Sequence, residues 1–428
     1  MSSTSEQHGD ALAATSDVPT TDIDLLADGA VDDPHRVFRD LRGIAPIVWS
    51  TRHRAWIVTT HEEVRLAFHD LRLSSDRLTP LERRLSDDER ALMGDTFDLL
   101  RGWMVFHDPP DHERLREPLR RTFTPARVTD LRPRVEAIVD ELLVDVASQL
   151  AAGDTVDLVA SFAFPLPAIV IAELLGVPVE DRAEFKTWSD ELAAVVFGTA
   201  DRRSGIEQAA AGSAKFAAYF GGLIERYTAD PADNLISALI AVTNDEPGLG
   251  LSSTELVGAL TLLLFGGHET TTNLISNSYH SLLRDPTALA KARTERNAHL
   301  RTAMWEELHR FDGSTKVMVR VVAEDHERAG VTMRAGETVL LGVLGANRDP
   351  AVFATPDTID LSRDNARQHV GFGYGRHFCL GAALARLEAD VALGRLVDLL
   401  DVKIAGDVQW SPVLLGRGHR TLPVESRP

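Results

Sequence analysis

Apolar residues recur at helical spacing along most of the chain, and short runs of β-branched residues interrupt this pattern. The longest helical stretch starts at Ser252, which stands three residues before Glu255 as in a capping box. No proline follows until Asp285-Pro286 ends the stretch. The pattern predicts one helix of roughly 30 residues, about 45 Å long. Because its first half is apolar on all sides, we expect it to cross the interior of the protein.

Shorter helices and strands fill the rest of the chain. Helical patterns cover residues 34–43, 61–70, 108–125, 131–150, 162–175, 181–197, 204–227, 301–311 and 382–400. The β-type runs lie at residues 44–49, 55–60, 316–322 and 338–344, and the first two have the spacing of a hairpin. Residues 1–20 are rich in Ser, Thr, Ala and Asp, which predicts a disordered tail with little to bury.

Composition excludes several classes of protein. The formal net charge of −19 argues against a nucleic-acid partner, since phosphate binding needs clustered cations. No apolar run approaches the roughly 18–20 residues of a membrane span, and the first residues do not resemble a signal peptide. With one cysteine the chain cannot form an internal disulfide. We therefore expect a cytoplasmic protein without a membrane anchor.

That single cysteine, Cys379, lies in the stretch HVGFGYGRHFCLGAALAR. Glycines stand on both sides of it, at Gly371, Gly373, Gly375 and Gly381. Glycines let the backbone approach a flat object closely, because they have no Cβ. A cysteine at the start of a helix lies among free N–H groups, which favour the metal-binding thiolate. Phe372 and Phe378 could shield its sulfur from water and tune a bound metal.

Other interpretations of this stretch are weaker. A lone cysteine is more often an inert thiol at a buried turn. A dinucleotide-binding loop needs G-x-G-x-x-G, but its third glycine would fall on Arg376 or Phe378. A c-type haem site needs C-x-x-C-H, and the second cysteine is missing.

The sequence FGYGRHFCLG, residues 372–381, resembles the haem-thiolate loop of the cytochrome P450 family in its soluble bacterial form. In that form a histidine often stands two residues before the cysteine, as His377 does here. The resemblance implies that Cys379 is the proximal iron ligand and that thiolate donation favours cleavage of the O–O bond. It also implies that Phe372, Gly373, His377 and Gly381 belong to the haem-binding loop.

The long helix carries GGHETTT at its middle, residues 266–272. Two glycines cost about 1 kcal/mol each in a helix, and an acid with three hydroxyls is unusual in a buried one. A tolerated kink would also explain these residues, whereas the zinc motif H-E-x-x-H lacks its second histidine. The stretch resembles the oxygen-activating helix of P450s. The resemblance implies that Gly266 and Gly267 make room for O₂, Thr270 hydrogen-bonds the oxygen and Glu269 relays protons.

The stretch DPPDHERLREPLRRTFTP predicts a helix in which Pro110 takes the first turn and Asp108 supplies a cap. His112 and Arg116 are four residues apart on one face of it, which alone would suggest a solvated basic surface. In P450s this motif binds the haem propionates, and Arg320 matches a further arginine with that role. Three other arginines are candidates for docking an acidic redox partner: Arg114, Arg120 and Arg121.

Glu307 and Arg310 resemble the buried E-x-x-R pair of the family, which an arginine near the haem loop usually completes. Here Thr358 stands in that arginine's expected position, so the third partner is open between Arg348 and Arg363. For the substrate pocket we predict the following residues: Trp103, Val196, Phe197, Leu263, Val317, Val319 and Leu414.

The resemblance, which runs from about residue 33 to the C-terminus, implies a mainly α P450 fold with small β-sheets. A single domain would span residues 21–428, with its β-rich part near 44–60 and 315–344. Haem b would lie between the helix that starts at Ser252 and the helix after Cys379.

The implied reaction uses O₂ and two electrons to insert one oxygen atom into a medium-sized, largely hydrophobic molecule, as in natural-product metabolism. NAD(P)H would supply the electrons through a ferredoxin reductase and a ferredoxin. Three alternatives remain: a peroxide-driven P450, which the Glu269–Thr270 pair disfavours, a non-enzymatic haem sensor or carrier, and a coupling or desaturating P450.

Overall fold

The computed structural model describes residues 18–196, 202–245, 248 and 250–427. The α-helices are α1 (Asp28–Asp32), α2 (Pro34–Ile44), α3 (His61–His69), α4 (Leu78–Arg83), α5 (Asp87–Arg101), α6 (Asp111–Thr122), α7 (Pro125–Asp130), α8 (Arg132–Ala151), α9 (Pro165–Leu175), α10 (Arg182–Val196), α11 (Arg202–Ala229), α12 (Leu235–Asp245), α13 (Ser253–Arg284), α14 (Pro286–Thr294), α15 (Ala298–Asp312), α16 (Val343–Ala346) and α17 (Ala382–Leu399). The strands are β1 (Thr20–Thr21), β2 (Ile47–Ser50), β3 (Ala55–Val58), β4 (Leu73–Ser74), β5 (Val156–Asp157), β6 (Met318–Val322), β7 (His326–Arg328), β8 (Val331–Met333), β9 (Thr338–Leu341), β10 (Val402–Ile404), β11 (Gln409–Trp410), β12 (His419–Thr421) and β13 (Pro423–Ser426). The fold is mainly α with small β-sheets, as predicted.

Helix α13 is the predicted long helix, and it runs through the main hydrophobic core between α9, α11, α15 and α17. Its capping box is present: the Ser252 hydroxyl accepts from the Glu255 N–H, and the Glu255 carboxylate accepts from the Ser252 N–H. The helix passes α5 at a contact between two glycines. A Cβ on Gly258 would lie 2.6 Å from the Cα of Gly102, so this crossing requires glycine. It holds the segment after α5 against the first turns of α13.

The two predicted β regions combine into one six-stranded sheet, in the order β1-β2-β3-β9-β6-β4. Strands β2 and β3 form the predicted hairpin, with Ile47 opposite Val58. Strand β9 then adds parallel to β3 and antiparallel to β6. The predicted strand 338–344 is too long, because β9 ends at Leu341 and the chain turns into α16. Across the described ranges, no helix is both long and apolar enough to span a membrane.

Two predicted features near the N-terminal half differ from the structure. Residues 1–17 of the predicted tail lie outside the described residues, but Thr20 belongs to β1 and pairs with Trp49 in the sheet. The folded domain therefore begins before residue 21, where the prediction placed its start. Asp108 does not cap α6, which follows Pro110 without a side-chain cap. Its carboxylate instead accepts from the Ser74 hydroxyl and the Ser75 N–H, so that it ties α6 to β4.

The E-x-x-R pair is fully buried in α15. Both Glu307 oxygens accept from the Arg310 guanidinium, at 2.7 and 2.8 Å. The third partner is Arg363, whose Nε donates to the same carboxylate at 3.0 Å, and the Asp360 N–H also donates to it. Arg348 is excluded from this role, since its guanidinium donates to the Phe311 carbonyl. The carboxylate thus joins α15 to the loop before Cys379.

A second buried network fixes the C-terminal hairpin β11–β12 to the N-terminal helices. Asp312 at the end of α15 accepts from both His35 on α2 and Arg417, at 3.0 and 2.7 Å. The Arg417 guanidinium lies 3.5 Å from the centre of the Trp410 ring, and His419 stacks on that ring at 3.8 Å. These charges and rings hold the loop between the two strands against the body of the protein.

We expect the protein to lose stability in acid because of a buried histidine in this region. Burial lowers the pKa of His280, next to His419, to about 4, below its ordinary 6.5. The unfolded chain therefore binds a proton at higher pH than the folded chain, and the free energy of unfolding falls as the pH drops from 6.5 towards 4. His280 alone accounts for roughly 2 kcal/mol at pH 5.

We expect H280F, which keeps a ring beside Trp410, to lose less stability than the wild type between about pH 7 and pH 5. The measurement is the midpoint of thermal unfolding at both pH values. H299F, at an exposed position, is the control and should follow the wild type. Equal losses in H280F and wild type would contradict the expectation.

Candidate active site

A cavity, here called the central cavity, lies between the middle of α13 and the start of α17. Its wall combines residues from α6, α13, α17 and the loop before α17. Among the described residues it contains Met104, Val105, His112, Arg116, Phe123, Ile171, Leu262, Leu263, Gly266, Gly267, Thr270, Thr271, Leu274, His309, Ser314, Thr315, Met318, Gly371, Phe372, His377, Cys379, Leu380, Gly381, Leu384 and Ala385. Apolar side chains predominate, and the polar residues include His112, Arg116, Thr270 and His377 besides Cys379.

A tight turn brings Cys379 into this wall. Gly373 and Gly375 have φ values of +72° and +68°, which favour glycine. The turn lets the Cys379 N–H donate to the Phe372 carbonyl at 2.9 Å. The sulfur then lies just before α17, within reach of the Gly381 N–H.

The electrostatics of Cys379 differ from the sequence-based expectation. Burial raises the pKa of its thiol, and the Gly381 N–H and the charges of Arg116 and Arg386 only partly offset this effect. The thiol without a metal is therefore less acidic than an ordinary cysteine. Metal binding would remove the proton outright, after which the same N–H and cations would stabilise the thiolate.

Helix α13 contributes two glycines and a threonine to the wall of the central cavity. The Thr270 hydroxyl donates to the Gly266 carbonyl at 3.0 Å, and both residues are exposed to the cavity. A Cβ on Gly266 would meet no atom within 4 Å, whereas one on Gly267 would lie 2.9 Å from the Ile171 side chain. Gly266 thus leaves open space, and Gly267 permits close packing with α9. Glu269 is half-buried beside them and is not part of the wall.

Two histidines and an arginine form a donor cluster near Cys379. The rings of His112 and His377 lie 4.1 Å apart, and burial lowers their pKa values to about 4 and about 2. Both are therefore neutral at pH 7. Neither ring nitrogen of the buried His112 has a partner among the described residues, while His377 bonds to Ser75. The Arg116 guanidinium donates to the Phe378 carbonyl at 2.7 Å.

The other predicted basic residues lie outside the central cavity. Arg320 is buried, donates to the Val319 carbonyl at 2.8 Å and lies over the Phe68 ring. Burial lowers its pKa to about 10. On α6, Arg120 and Arg121 both pair with Glu117, and Arg114 pairs with Glu255 at the start of α13. The predicted basic surface is thus partly neutralised by neighbouring carboxylates.

Only some of the predicted substrate residues line a cavity in the structure. Leu263 lies in the wall of the central cavity. Val196 and Val319 line a second, outer cavity of about 230 Å³ between α4, β6 and the end of α10. Phe197 lies outside the described residues.

Three predicted pocket residues line neither the central nor the outer cavity. In each case the next residue in the sequence lines one of these cavities. Trp103 is buried against Phe106 and Phe265, and Met104 lines the central cavity instead. Val317, just before β6, is fully buried, and Met318, the first residue of β6, faces the central cavity. Leu414 packs in the core beside the sheet, and Leu415 lines the outer cavity.

Sequence reasoning missed other residues at the site. Arg386 lies 4.4 Å from the centre of the Phe372 ring, donates to Glu306 and lowers the pKa of the Cys379 thiol. Its signal was an arginine in the first turns of α17, where a cation opposes the helix dipole. Ile171 reaches the cavity from α9 through tertiary packing, and no local pattern indicates this.

Comparison with known proteins decides the family. The family model "Cytochrome P450" matches residues 223–416. Vitamin D(3) 25-hydroxylase of Pseudonocardia autotrophica is 40% identical over 96% of this chain and 98% of its own length. The chain belongs to the cytochrome P450 family.

Other relatives are similar to this P450 over almost the whole chain. 6-Deoxyerythronolide B hydroxylase of Saccharopolyspora erythraea is 39% identical over 95% of this chain and 99% of its own. The crystal structure of a myxobacterial cytochrome P450 in complex with myristic acid superposes with a TM-score of 0.83 at 35% identity, covering 94% and 99% of the two chains. This P450 is therefore an oxidoreductase of the monooxygenase class, in a family that uses haem, O₂ and electrons from NAD(P)H.

The residues of the central cavity fit a haem. The wall contains the Cys379 thiol, and there is open space beside Gly266. The unpartnered nitrogens of His112 and the Arg116 guanidinium supply donors for carboxylates, which need charge-assisted partners inside a protein. The remaining wall is apolar, as a porphyrin ring requires.

Proposed function

We propose that this P450 holds haem b through Cys379 and inserts one oxygen atom from O₂ into a medium-sized hydrophobic molecule. One observation carries the proposal: Cys379 and three residues of α13, Gly266, Gly267 and Thr270, line the same largely apolar cavity. When bound there, the haem supplies the activation of O₂ and the transfer of an oxygen atom. The protein's own residues hold the ligand, exclude water and deliver protons.

Cys379 provides the sulfur ligand, and the backbone around it fixes its direction. The bond from the Cys379 N–H to the Phe372 carbonyl keeps the turn closed, and the left-handed glycines allow it. The Gly381 N–H and Arg116 favour negative charge on the sulfur. His112 and Arg116 bind the haem carboxylates, with Arg320 as a further cation nearby.

Thr270, in the cavity wall, and Glu269, next to it on α13, would deliver protons to the site. The Thr270 hydroxyl donates to the Gly266 carbonyl, so its oxygen is directed as an acceptor and can pass a proton onward. Glu269, one residue earlier and half-buried, supplies an ionisable group next to Thr270. This acid–alcohol pair disfavours a peroxide-driven enzyme or a simple haem sensor, neither of which needs proton delivery.

Thr270→Ala should uncouple electron use from product formation. Loss of the hydroxyl removes the group that directs protons at the cavity, so NAD(P)H is consumed while hydrogen peroxide is released. We expect product per NAD(P)H to fall by about tenfold or more. The measurement is product, peroxide and NAD(P)H in the same reaction, with a surrogate ferredoxin and reductase.

Thr272→Ala is the matched control for this variant. The Thr272 hydroxyl donates to the His268 carbonyl, and the residue is buried outside the cavity wall. Its coupling should equal that of the wild type. Unchanged coupling in Thr270→Ala would remove Thr270 from the proposed role.

The relatives guide the substrate class and the partners. They include a vitamin D(3) hydroxylase, a 6-deoxyerythronolide B hydroxylase and a structure with myristic acid. These names support a largely hydrophobic substrate, as in natural-product metabolism. A ferredoxin and an NAD(P)H-dependent ferredoxin reductase would deliver the electrons, and the cytoplasm is the expected location.

Product analysis under labelled O₂ tests the proposed reaction. A molecule that displaces water from the haem is turned over with the redox partners, and the product mass is measured. We expect one labelled oxygen atom in the product. A product that lacks hydrogens but carries no label would favour coupling or desaturation, and binding without turnover would favour a sensor.

A further inference from the structure

The outer cavity adjoins the central cavity across a thin wall. Met104 and Val105 face the central cavity, whereas Phe106 of the same turn faces the outer one. On β6 the neighbours Met318 and Val319 divide in the same way. A ligand in the outer cavity is therefore separated from the central cavity by single side chains.

The wall of the outer cavity is mainly apolar and contains one half-buried cation. Its apolar residues include Leu78, Leu81, Leu100 and Phe106, and the cation is Arg77. Arg77 is only partly accessible to solvent, and its guanidinium lies 4.7 Å from the centre of the Phe106 ring. A second arginine, Arg84, lies exposed at the rim.

Arg77 has no anionic partner in the part of the chain that the structure describes. No hydrogen bond or ion pair joins its guanidinium to a described residue. Two acids of this part of the chain, Asp76 and Asp108, are engaged elsewhere. The Asp76 carboxylate accepts from the Leu78 and Thr79 N–H groups, and that of Asp108 accepts from Ser74 and Ser75.

The guanidinium nevertheless keeps its charge. Burial, with a smaller contribution from Arg320, lowers the pKa of Arg77 to about 10, which leaves it protonated at pH 7. A desolvated cation without a partner is unfavourable, and an anion in the cavity would compensate it. The haem itself brings carboxylates, but Arg116, His112 and Arg320 are available for these, so Arg77 is an additional cation.

We propose that Arg77 binds the carboxylate of a hydrophobic organic acid and that such acids are the substrates of this P450. The inference rests on the proposed function and specifies its substrate class. The apolar wall takes the body of the molecule, and Arg77 fixes its acidic end in the outer cavity. The distal carbons would then extend past Phe106 and Met318 towards Thr270.

The test compares one acid with its uncharged equivalents on purified holoenzyme. Binding of dodecanoic acid, its methyl ester and dodecan-1-ol is measured by calorimetry and by the change in haem spin state. We expect the wild type to bind the acid about tenfold or more tightly than the ester and the alcohol. In R77Q this preference should fall to about one, with ester binding unchanged. R83Q is the matched control, since Arg83 is exposed on α4 outside the cavity wall, and it should keep the preference.

Two outcomes would overturn the proposal. One is a wild type without preference for the acid, including one that binds none of the three compounds. The other is an R77Q enzyme that loses haem but keeps the preference, which would assign Arg77 to the haem carboxylates. The reduced carbon monoxide spectrum is recorded on the same samples. If it shows thiolate ligation while the preference is absent, the proposed function stands and only the role of Arg77 fails.

Discussion

Replacing Cys379 by serine is expected to abolish monooxygenase activity and the spectral signature of thiolate-ligated haem. Serine keeps the size of the side chain and the bond from residue 379 N–H to the Phe372 carbonyl, so the turn should persist. Its hydroxyl is a far poorer iron ligand than a thiolate and cannot supply the electron donation that favours O–O cleavage. We expect activity to fall below detection.

The controls for C379S separate ligation from folding. Cys379 is the chain's only cysteine, so thiol titration confirms the substitution directly. Far-ultraviolet circular dichroism should show unchanged helix content, because α13 and α17 are stabilised by the core and not by the thiol. A folded C379S that retained the red-shifted carbon monoxide band would mean that another group binds the iron.

Replacing Glu307 by glutamine should cause the largest loss of stability. Glu307 and Arg310 are both fully buried, and Arg363 is nearly so. The neutral amide would leave two guanidinium groups in the interior without a compensating charge, which typically costs about 3–5 kcal/mol. The amide also presents N–H groups where the carboxylate accepted from Arg310, Arg363 and the Asp360 N–H. The measurement is the urea dependence of helix content.

D140N is the matched control for E307Q. The pair between Asp140 and Arg395 has a similar geometry, at 2.8 Å, but both side chains are about half exposed. Exposed pairs contribute about 0–1 kcal/mol, so this variant should remain close to the wild type. Equal stability losses in E307Q and D140N would show that burial does not determine how much the Glu307 network contributes to the free energy of unfolding.

Local signals in the sequence were sufficient for the main elements. The Ser252 capping box and the following proline defined α13 to within a residue or two, because both signals act within one helical turn. The alternating run and short gap around Arg52 defined the β2–β3 hairpin. The glycines around Cys379 predicted close approach of the backbone to a flat group, and the structure adds that Gly373 and Gly375 have left-handed φ values in a tight turn.

The remaining features depend on tertiary contacts that no local pattern records. The sequence left Arg348 and Arg363 as equal candidates for Glu307, since both stand near the loop, and only packing distinguishes them. Asp108 has the right spacing for a cap, but β4 lies closer to its carboxylate. The pocket predictions at Val317 and Leu414 missed by one residue because tertiary packing decides which of two neighbouring apolar side chains faces a cavity.

The absorption spectrum of the purified protein, reduced and then exposed to carbon monoxide, tests the central claim most directly. Ligation of the haem by Cys379 predicts a strongly red-shifted Soret band. An unshifted band, like that of a histidine-ligated haem and without loss of haem, would contradict it. The roles proposed for Cys379, Thr270 and Glu269 would then be wrong, although the fold would be unaffected.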